Sequence, residues 1–209
     1  MWALVESGSV SKVFARPTKL ILGDVQYPSN IFELWTTAEL NAIKIYDVVQ
    51  DNTNKKDKGY YINTNVSYAF QSSVTINSTD YTNVVVASYG TATAKALTDT
   101  LYTAQDETDG LGTEGEVKTQ GLKTQHKAKI NSQAASNLSS TDWMTIRETE
   151  GGTDMPSNIK TWRASVRTKA NSMCTQIDNA ADVDALAALY EYNNANPPVR
   201  PLGEFPELS

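Results

Sequence analysis

Hydrophobic and polar positions along the first fifty residues alternate over short runs, as is typical of β-strands. Gly23 and Asp24 separate two of these runs and favour a tight two-residue hairpin. Thr36 and Glu39 have the spacing of a capping box, which predicts a helix start. Residues 1–50 are therefore predicted to form a small β-hairpin and helix module. The predicted strands are residues 3–6, 10–14, 20–22, 25–27 and 45–49.

The pattern then changes twice before the middle of the chain. Residues 51–59 are polar throughout and carry both charge signs and a glycine, which predicts a linker. Residues 60–90 are rich in β-branched and aromatic side chains, which predicts a central antiparallel β segment. Val84, Val85 and Val86 form its most apolar run.

Residues 91–196 are predicted to be mainly helical. Residues 91–102 are rich in alanine, and an acidic loop with several glycines follows them. Thr113 and Glu116 have capping-box spacing, which predicts a helix that lasts to about residue 137. This helix has a thin apolar stripe at four-residue steps: Leu122, His126, Ile130, Ala134 and Leu138.

Three further helices and a tail complete the pattern, and the last helix is predicted over residues 183–192. Residues 139–142 cap a shorter helix that Gly151 and Gly152 end, and Pro156 and Ser157 begin the strongest amphipathic pattern in the chain. Residues 197–209 are predicted to be an extended Pro-rich tail. The fold class predicted from these elements is α+β, with a β-rich N-terminal half and a helical C-terminal region.

The composition and charge of the chain exclude several kinds of binding site and several classes of protein. Among 209 residues there are 24 acidic and 18 basic side chains, and the formal net charge of −6 argues against nucleic-acid binding. One histidine and one cysteine exclude disulfide frameworks and Cys/His zinc sites within one chain. No apolar run approaches the roughly 20 residues of a membrane span. His126 has no carboxylate at helical spacing and Cys174 has no activating neighbour, so we expect no catalytic residue, cofactor or metal.

Two stretches carry a resemblance to a known group of proteins. Residues 25–35, with Glu39 and Leu40, are similar to the N-terminal module of tail-fibre and tail-assembly proteins of tailed bacteriophages of the marine type. Residues 138–167 resemble the helical C-terminal region of the same group. The resemblance covers about half of the chain and implies a protein of the virion or of its assembly, without catalytic residues. It matches the group's tryptophan and arginine positions at Trp143, Arg147, Trp162, Arg163 and Arg167.

The leading hypothesis is a structural component of a phage tail, in the fibre or tail-tip region, that binds other tail proteins. Such a protein is made in the cytoplasm of the bacterial host and resides in the virion. Its tryptophans are interpreted as helix-packing anchors and its arginines as partners for salt bridges across an interface. The thin stripe favours association between copies, with a trimer preferred. The candidate interface residues are Trp143, Arg147, Trp162, Arg163, Arg167, Leu122, Ile130 and Leu138.

Two other functions are weighed against this one. The first is a chaperone for tail-fibre assembly, whose C-terminal helices and tail hold a partner. The second is a module that binds a host surface receptor or glycan through Tyr60, Tyr61 and Tyr68. The competing interpretation is that half of the aromatic residues in this segment are strand core.

Overall fold

The chain folds as two units, the first spanning Met1–Thr93 and the second beginning at Ala94, in a computed structural model that describes residues 1–208. The α+β prediction is confirmed, with strands concentrated in the first unit and long helices in the second. The first unit contains β1 (Trp2–Glu6), β2 (Ser9–Phe14), β3 (Leu20–Leu22), β4 (Val25–Tyr27), α1 (Ile31–Leu34), α2 (Thr37–Ala42), β5 (Ile45–Asp51), β6 (Tyr61–Ile62), β7 (Val66–Ile76) and β8 (Thr79–Tyr89). After β9 (Thr93–Ala94) at the boundary, the second contains β10 (Thr100–Leu101), α3 (Ala104–Thr108), β11 (Val117–Thr119), α4 (Leu122–Ser139), α5 (Asp142–Thr149), α6 (Ser157–Asn179) and α7 (Val183–Ala188).

A five-stranded sheet in the order β2-β1-β5-β8-β7 organises the first unit. Its neighbours pair antiparallel except β5 and β8, which run parallel, with Val48 opposite Val85. The predicted division into a module over residues 1–50 and a separate segment over residues 60–90 is therefore wrong. Strand patterns show which residues form strands, but the parallel pairing of β5 with β8 is a long-range contact that leaves no local signal.

The two faces of this sheet are covered in different ways. On one face Ala3, Val5 and Val85 are buried, and the outer strands β2 and β7 also contact each other, so the sheet curls over its own side chains. The rings of Tyr46 and Phe70 meet there with centroids 4.7 Å apart. On the opposite face, Ile76, Val84 and Val86 of β7 and β8 form one buried cluster. The rest of that face, over β1, β2 and the start of β5, is covered by α1, α2 and the β3–β4 hairpin. Its buried residues are Phe14, Leu20, Ile31, Phe32, Leu40 and Ile45.

The local signals of the first unit are confirmed. β3 and β4 pair antiparallel around Gly23 and Asp24, with Leu22 opposite Val25. The Thr36 side chain accepts a hydrogen bond from the Glu39 backbone, and the Glu39 carboxylate accepts one from the Thr36 backbone at 2.7 Å. These hydrogen bonds from Thr36 lower the pKa of Glu39.

The predicted linker is a loop fixed by side-chain hydrogen bonds. Asn63 pairs with the backbone of Lys56 twice, accepting from its N–H and donating to its carbonyl, both at 2.8 Å. Asn54 donates to the Tyr89 carbonyl at 3.2 Å. Residues 51–59 are thus part of the first unit, and the linker prediction is wrong because a polar composition does not reveal these contacts.

Helices α4 and α6 pack antiparallel along each other in the second unit. Lys127 near the start of α4 forms a salt bridge of 2.7 Å with Asp178 near the end of α6. The predicted apolar stripe of α4 is confirmed as its buried face over Leu122, His126, Ile130 and Ala134. The buried face of α6 is Arg163, Val166, Ala170, Met173 and Ile177.

Residues 91–102 are not helical, and their extended backbone caps α4 instead. The carbonyls of Ala96 and Leu97 accept hydrogen bonds from the first amides of α4, and the Asp99 carboxylate accepts from the Gly121 amide at 2.7 Å. That bond to Gly121 is the main reason that the pKa of Asp99 is lowered. A side chain at Gly121 would overlap the Thr98 carbonyl, so this close approach requires glycine.

The second predicted capping box, Thr113 with Glu116, does not begin α4. Thr113 and Glu116 precede β11, and α4 begins only after Gly121. The capping box observed in this region is Thr103 with Asp106, at the start of α3. Three hydrogen bonds, from Lys118 and from the Thr103 backbone and hydroxyl, lower the pKa of Asp106 to about 2.

Candidate protein-binding surface

The short helix α5 is held at its first turn by a buried arginine from α6. Arg163 is only 6% exposed and donates to the Leu138 carbonyl at 2.8 Å and to the Asp142 carboxylate at 2.7 Å. It also donates to the hydroxyl of Thr141, which is buried. A planar guanidinium can make these bonds together because its donors are arranged as a rigid fork. Arg163 therefore fixes the junction between α4 and α5.

A second contact from α6 fixes the last turn of α5. The Lys160 ammonium forms a salt bridge with the Glu148 carboxylate. This hydrogen bond lowers the pKa of Glu148 and raises the pKa of Lys160. Helix α5 is thus braced at both ends by one neighbouring helix.

Gly151 and Gly152 end α5 as predicted, in a Schellman motif. Gly151 has a φ of 81° and donates to the Glu148 carbonyl, and Gly152 donates to the Arg147 carbonyl at 2.9 Å. A side chain at Gly152 would lie 2.7 Å from the Arg147 side chain. The turn therefore leaves room for Arg147 to lie along the helix.

The outward side of α5 carries large apolar groups. Trp143 is 52% exposed and Ile146 is 57% exposed, and their spacing of three residues places them on one face of the helix with Arg147. The Arg147 guanidinium lies 4.8 Å from the centroid of the Trp143 ring, and its Nε donates to the Thr153 carbonyl at 3.0 Å. We call these three residues the α5 face. Its tryptophan makes a cation–π contact with the arginine of the same face.

The other predicted interface residues lie elsewhere. Arg163 was predicted to form a salt bridge across an interface, and here it is buried and donates to Leu138, Thr141 and Asp142 of its own chain. Leu122 and Ile130 are buried in the α4–α6 contact, so the stripe is covered by the chain itself. Leu138 is half-buried, and Arg167 is exposed on α6.

Trp162 packs differently from Trp143. It is half-buried, and its indole Nε1 donates to the Pro206 carbonyl at 2.9 Å. Leu202 is fully buried, and its amide donates to the Leu189 carbonyl. Trp162 is therefore an anchor for the predicted tail, whereas Trp143 is exposed and is not a packing anchor.

None of the candidate receptor-facing tyrosines is fully buried. Tyr60 and Tyr61 are half-buried, and Tyr68 is 37% exposed on β7. The Lys56 ammonium lies 5.7 Å from the centroid of the Tyr61 ring. This lysine thus lies over one face of the Tyr61 ring.

His126 and Cys174 lie on the two paired helices. His126 is 9% exposed with its ring 4.9 Å from that of Tyr190, and burial lowers its pKa, with a smaller contribution from Lys129. Burial raises the pKa of the Cys174 thiol, which disfavours the nucleophilic thiolate. Within residues 1–208 no three His, Cys, Asp or Glu side chains are grouped to hold a metal, and no helix is long and apolar enough to cross a membrane.

The polar brace of α5 is the part of this surface that sequence reasoning missed. Its members Asp142 and Arg163 lie 21 positions apart on two separate helices, so no helical spacing connects them. The chain matches no protein-family model, and neither the curated proteins nor the solved structures contain a match to it.

Proposed function

We propose that this chain is a structural component of a bacteriophage tail, in the fibre or tail-tip region, and that it acts through contacts with other tail proteins. The observation that supports this function best is the α5 face, where Trp143 and Ile146 are exposed beside Arg147. The resemblance of residues 138–167 to tail proteins includes all three of these residues.

The chemistry of the α5 face suits a protein partner. Tryptophan and arginine are enriched among the residues that contribute most to protein–protein binding. The contact between Arg147 and Trp143 reduces the conformational entropy that binding would cost, because the ring already has a fixed neighbour. Braces at both ends of α5 hold the whole face on a rigid helix.

The test is to measure whether the protein is present in purified virions and whether the α5 face is needed for that. Quantitative mass spectrometry of virions should find the wild-type chain in stoichiometric amounts and should find the Trp143→Asp variant strongly depleted. Leu111→Asp is a matched control, because Leu111 is 58% exposed in the same unit and lies outside α5. Equal incorporation of both variants would refute the role of the α5 face.

Virion content also separates this function from its alternatives. An assembly chaperone would be required for infectious particles yet absent from them. A receptor module would bind glycans on an array and lose that binding in a Tyr68→Ala variant. The homo-oligomer stays a prediction, and size-exclusion chromatography with light scattering tests it.

A further inference from the structure

A groove of about 670 Å³ lies in the first unit, between strands β1 and β2 and the β3–β4 hairpin. Its walls are mainly apolar, with Leu4 and Phe14 on the sheet side and Leu20 and Leu22 on the hairpin side. The groove is separate from the α5 face, which belongs to the second unit.

The charges along this groove are all of one sign. Lys12 and Lys19 are both among the ten residues that line it, and none of the ten is acidic. Both lysines are exposed, and the Lys12 ammonium lies 5.4 Å from the centroid of the Phe14 ring. In a chain with a net charge of −6, an apolar groove with two lysines and no carboxylate is a local positive site.

We propose that this groove binds an extended segment of a partner protein in which acidic and apolar side chains alternate. An extended segment points successive side chains in opposite directions, so its apolar residues can face the groove while its carboxylates reach the lysines at the rim. The charge complementarity of Lys12 and Lys19 selects an acidic partner. This inference concerns a different surface and does not rest on the proposed tail function.

Fluorescence anisotropy of the full chain with a labelled synthetic peptide tests the proposal. The probe is a peptide of about eight residues that alternates glutamate and leucine, a length that spans a typical strand. We expect saturable binding that weakens as salt is added. The double variant Lys12→Glu with Lys19→Glu should bind at least ~10-fold more weakly, because two attractions become repulsions.

Three controls make the result decisive. Lys129→Glu reverses one lysine charge at an exposed position on α4 and should leave binding unchanged. Polyglutamate of equal charge should bind much more weakly, because it lacks the apolar side chains. A peptide that alternates lysine and leucine should not bind.

Several outcomes would overturn the proposal. These are no binding of the glutamate–leucine peptide, equal binding by the double variant, or equal binding by polyglutamate, which would indicate a site for any polyanion. Amide hydrogen exchange gives an independent readout, because the bound peptide should slow exchange in β2 and β3. Unchanged exchange in these strands would contradict the groove as the site, and circular dichroism of the double variant checks that it is folded.

Discussion

The two units bury their apolar residues by different means. In the first unit the sheet curls until β2 and β7 meet, and its core residues Ile45 and Val85 are fully buried. In the second unit α4 and α6 share an apolar seam, but the third helix, α5, is positioned by the polar contacts of Arg163 and Lys160. The large apolar residues Trp143 and Ile146 of α5 consequently remain outside.

The comparison shows why apolar side chains stay exposed on α5: the helix is held by polar contacts and does not need to bury them. A helix held by packing must turn its apolar face inward, whereas a helix held by salt bridges and hydrogen bonds at its ends is free to present that face to a partner. Substitutions in the two units should therefore differ in how much they lower the free energy of unfolding and in how far along the chain their effects spread.

The largest effect is expected from a core truncation in the first unit. Ile45→Ala should lower the free energy of unfolding by about 3 kcal/mol, because Ile45 is fully buried and the lost methyl groups leave a cavity. Urea unfolding followed by circular dichroism measures this. Ile21→Ala is the control, since Ile21 is 65% exposed and its loss should cost less than about 0.5 kcal/mol.

A smaller and more local effect is expected at the brace. Arg163→Met keeps an apolar stem but removes the three hydrogen bonds that the guanidinium donates to the Leu138 carbonyl, the Thr141 hydroxyl and the Asp142 carboxylate, which should cost about 2 kcal/mol. Hydrogen exchange should speed up in α5 more than in α4. Arg167→Met on the exposed side of α6 is the matched control, and a neutral result at Arg163 would show that packing holds α5 after all.

A pH-dependent effect on stability is expected from His126, which lies on the buried face of α4. Because burial lowers the pKa of His126 below its ordinary value of 6.5, the unfolded chain takes up the proton first as the pH falls. Burial of neutral His126 therefore contributes fully to the free energy of unfolding above pH 6.5. This contribution is lost as the pH falls from 6.5 towards the lowered pKa of the folded protein. Urea midpoints between about pH 8 and about pH 5.5 should therefore fall less in His126→Gln than in the wild type. Identical slopes for the two proteins would contradict the prediction.

The smallest effect on stability is expected at the α5 face. Trp143→Ala should change the free energy of unfolding by less than about 0.5 kcal/mol, because the side chain is 52% exposed. Thermal unfolding measures this directly. A loss as large as that at Arg163 would mean that Trp143 supports the fold and would weaken its assignment to a partner.

Sequence patterns predicted the elements that depend on neighbouring residues. The Thr36–Glu39 capping box, the Gly23–Asp24 hairpin and the end of α5 at Gly151 all formed, because their donors and acceptors lie within a few positions. The buried stripes of α4 and α6 were visible for the same reason, since a helix repeats its faces every three or four residues.

Elements whose partners are distant in sequence were missed. Alanine in residues 91–102 suggested a helix, but the carbonyls of Ala96 and Leu97 are used to cap α4. The same holds for the candidate surface: Trp143 and Arg147 were recognised, whereas the role of Arg163 required knowing that α6 returns alongside the start of α5.

The contact between β2 and β7 also bears on how the protein behaves when many copies are crowded together. The outer strands of an open sheet expose unpaired backbone groups, which recruit strands from other molecules and begin aggregation. Here the two outer strands approach each other, so the curled sheet offers less of either edge to a neighbouring molecule. We expect the first unit to be less prone to uncontrolled sheet growth at high local concentration than a flat sheet of the same five strands.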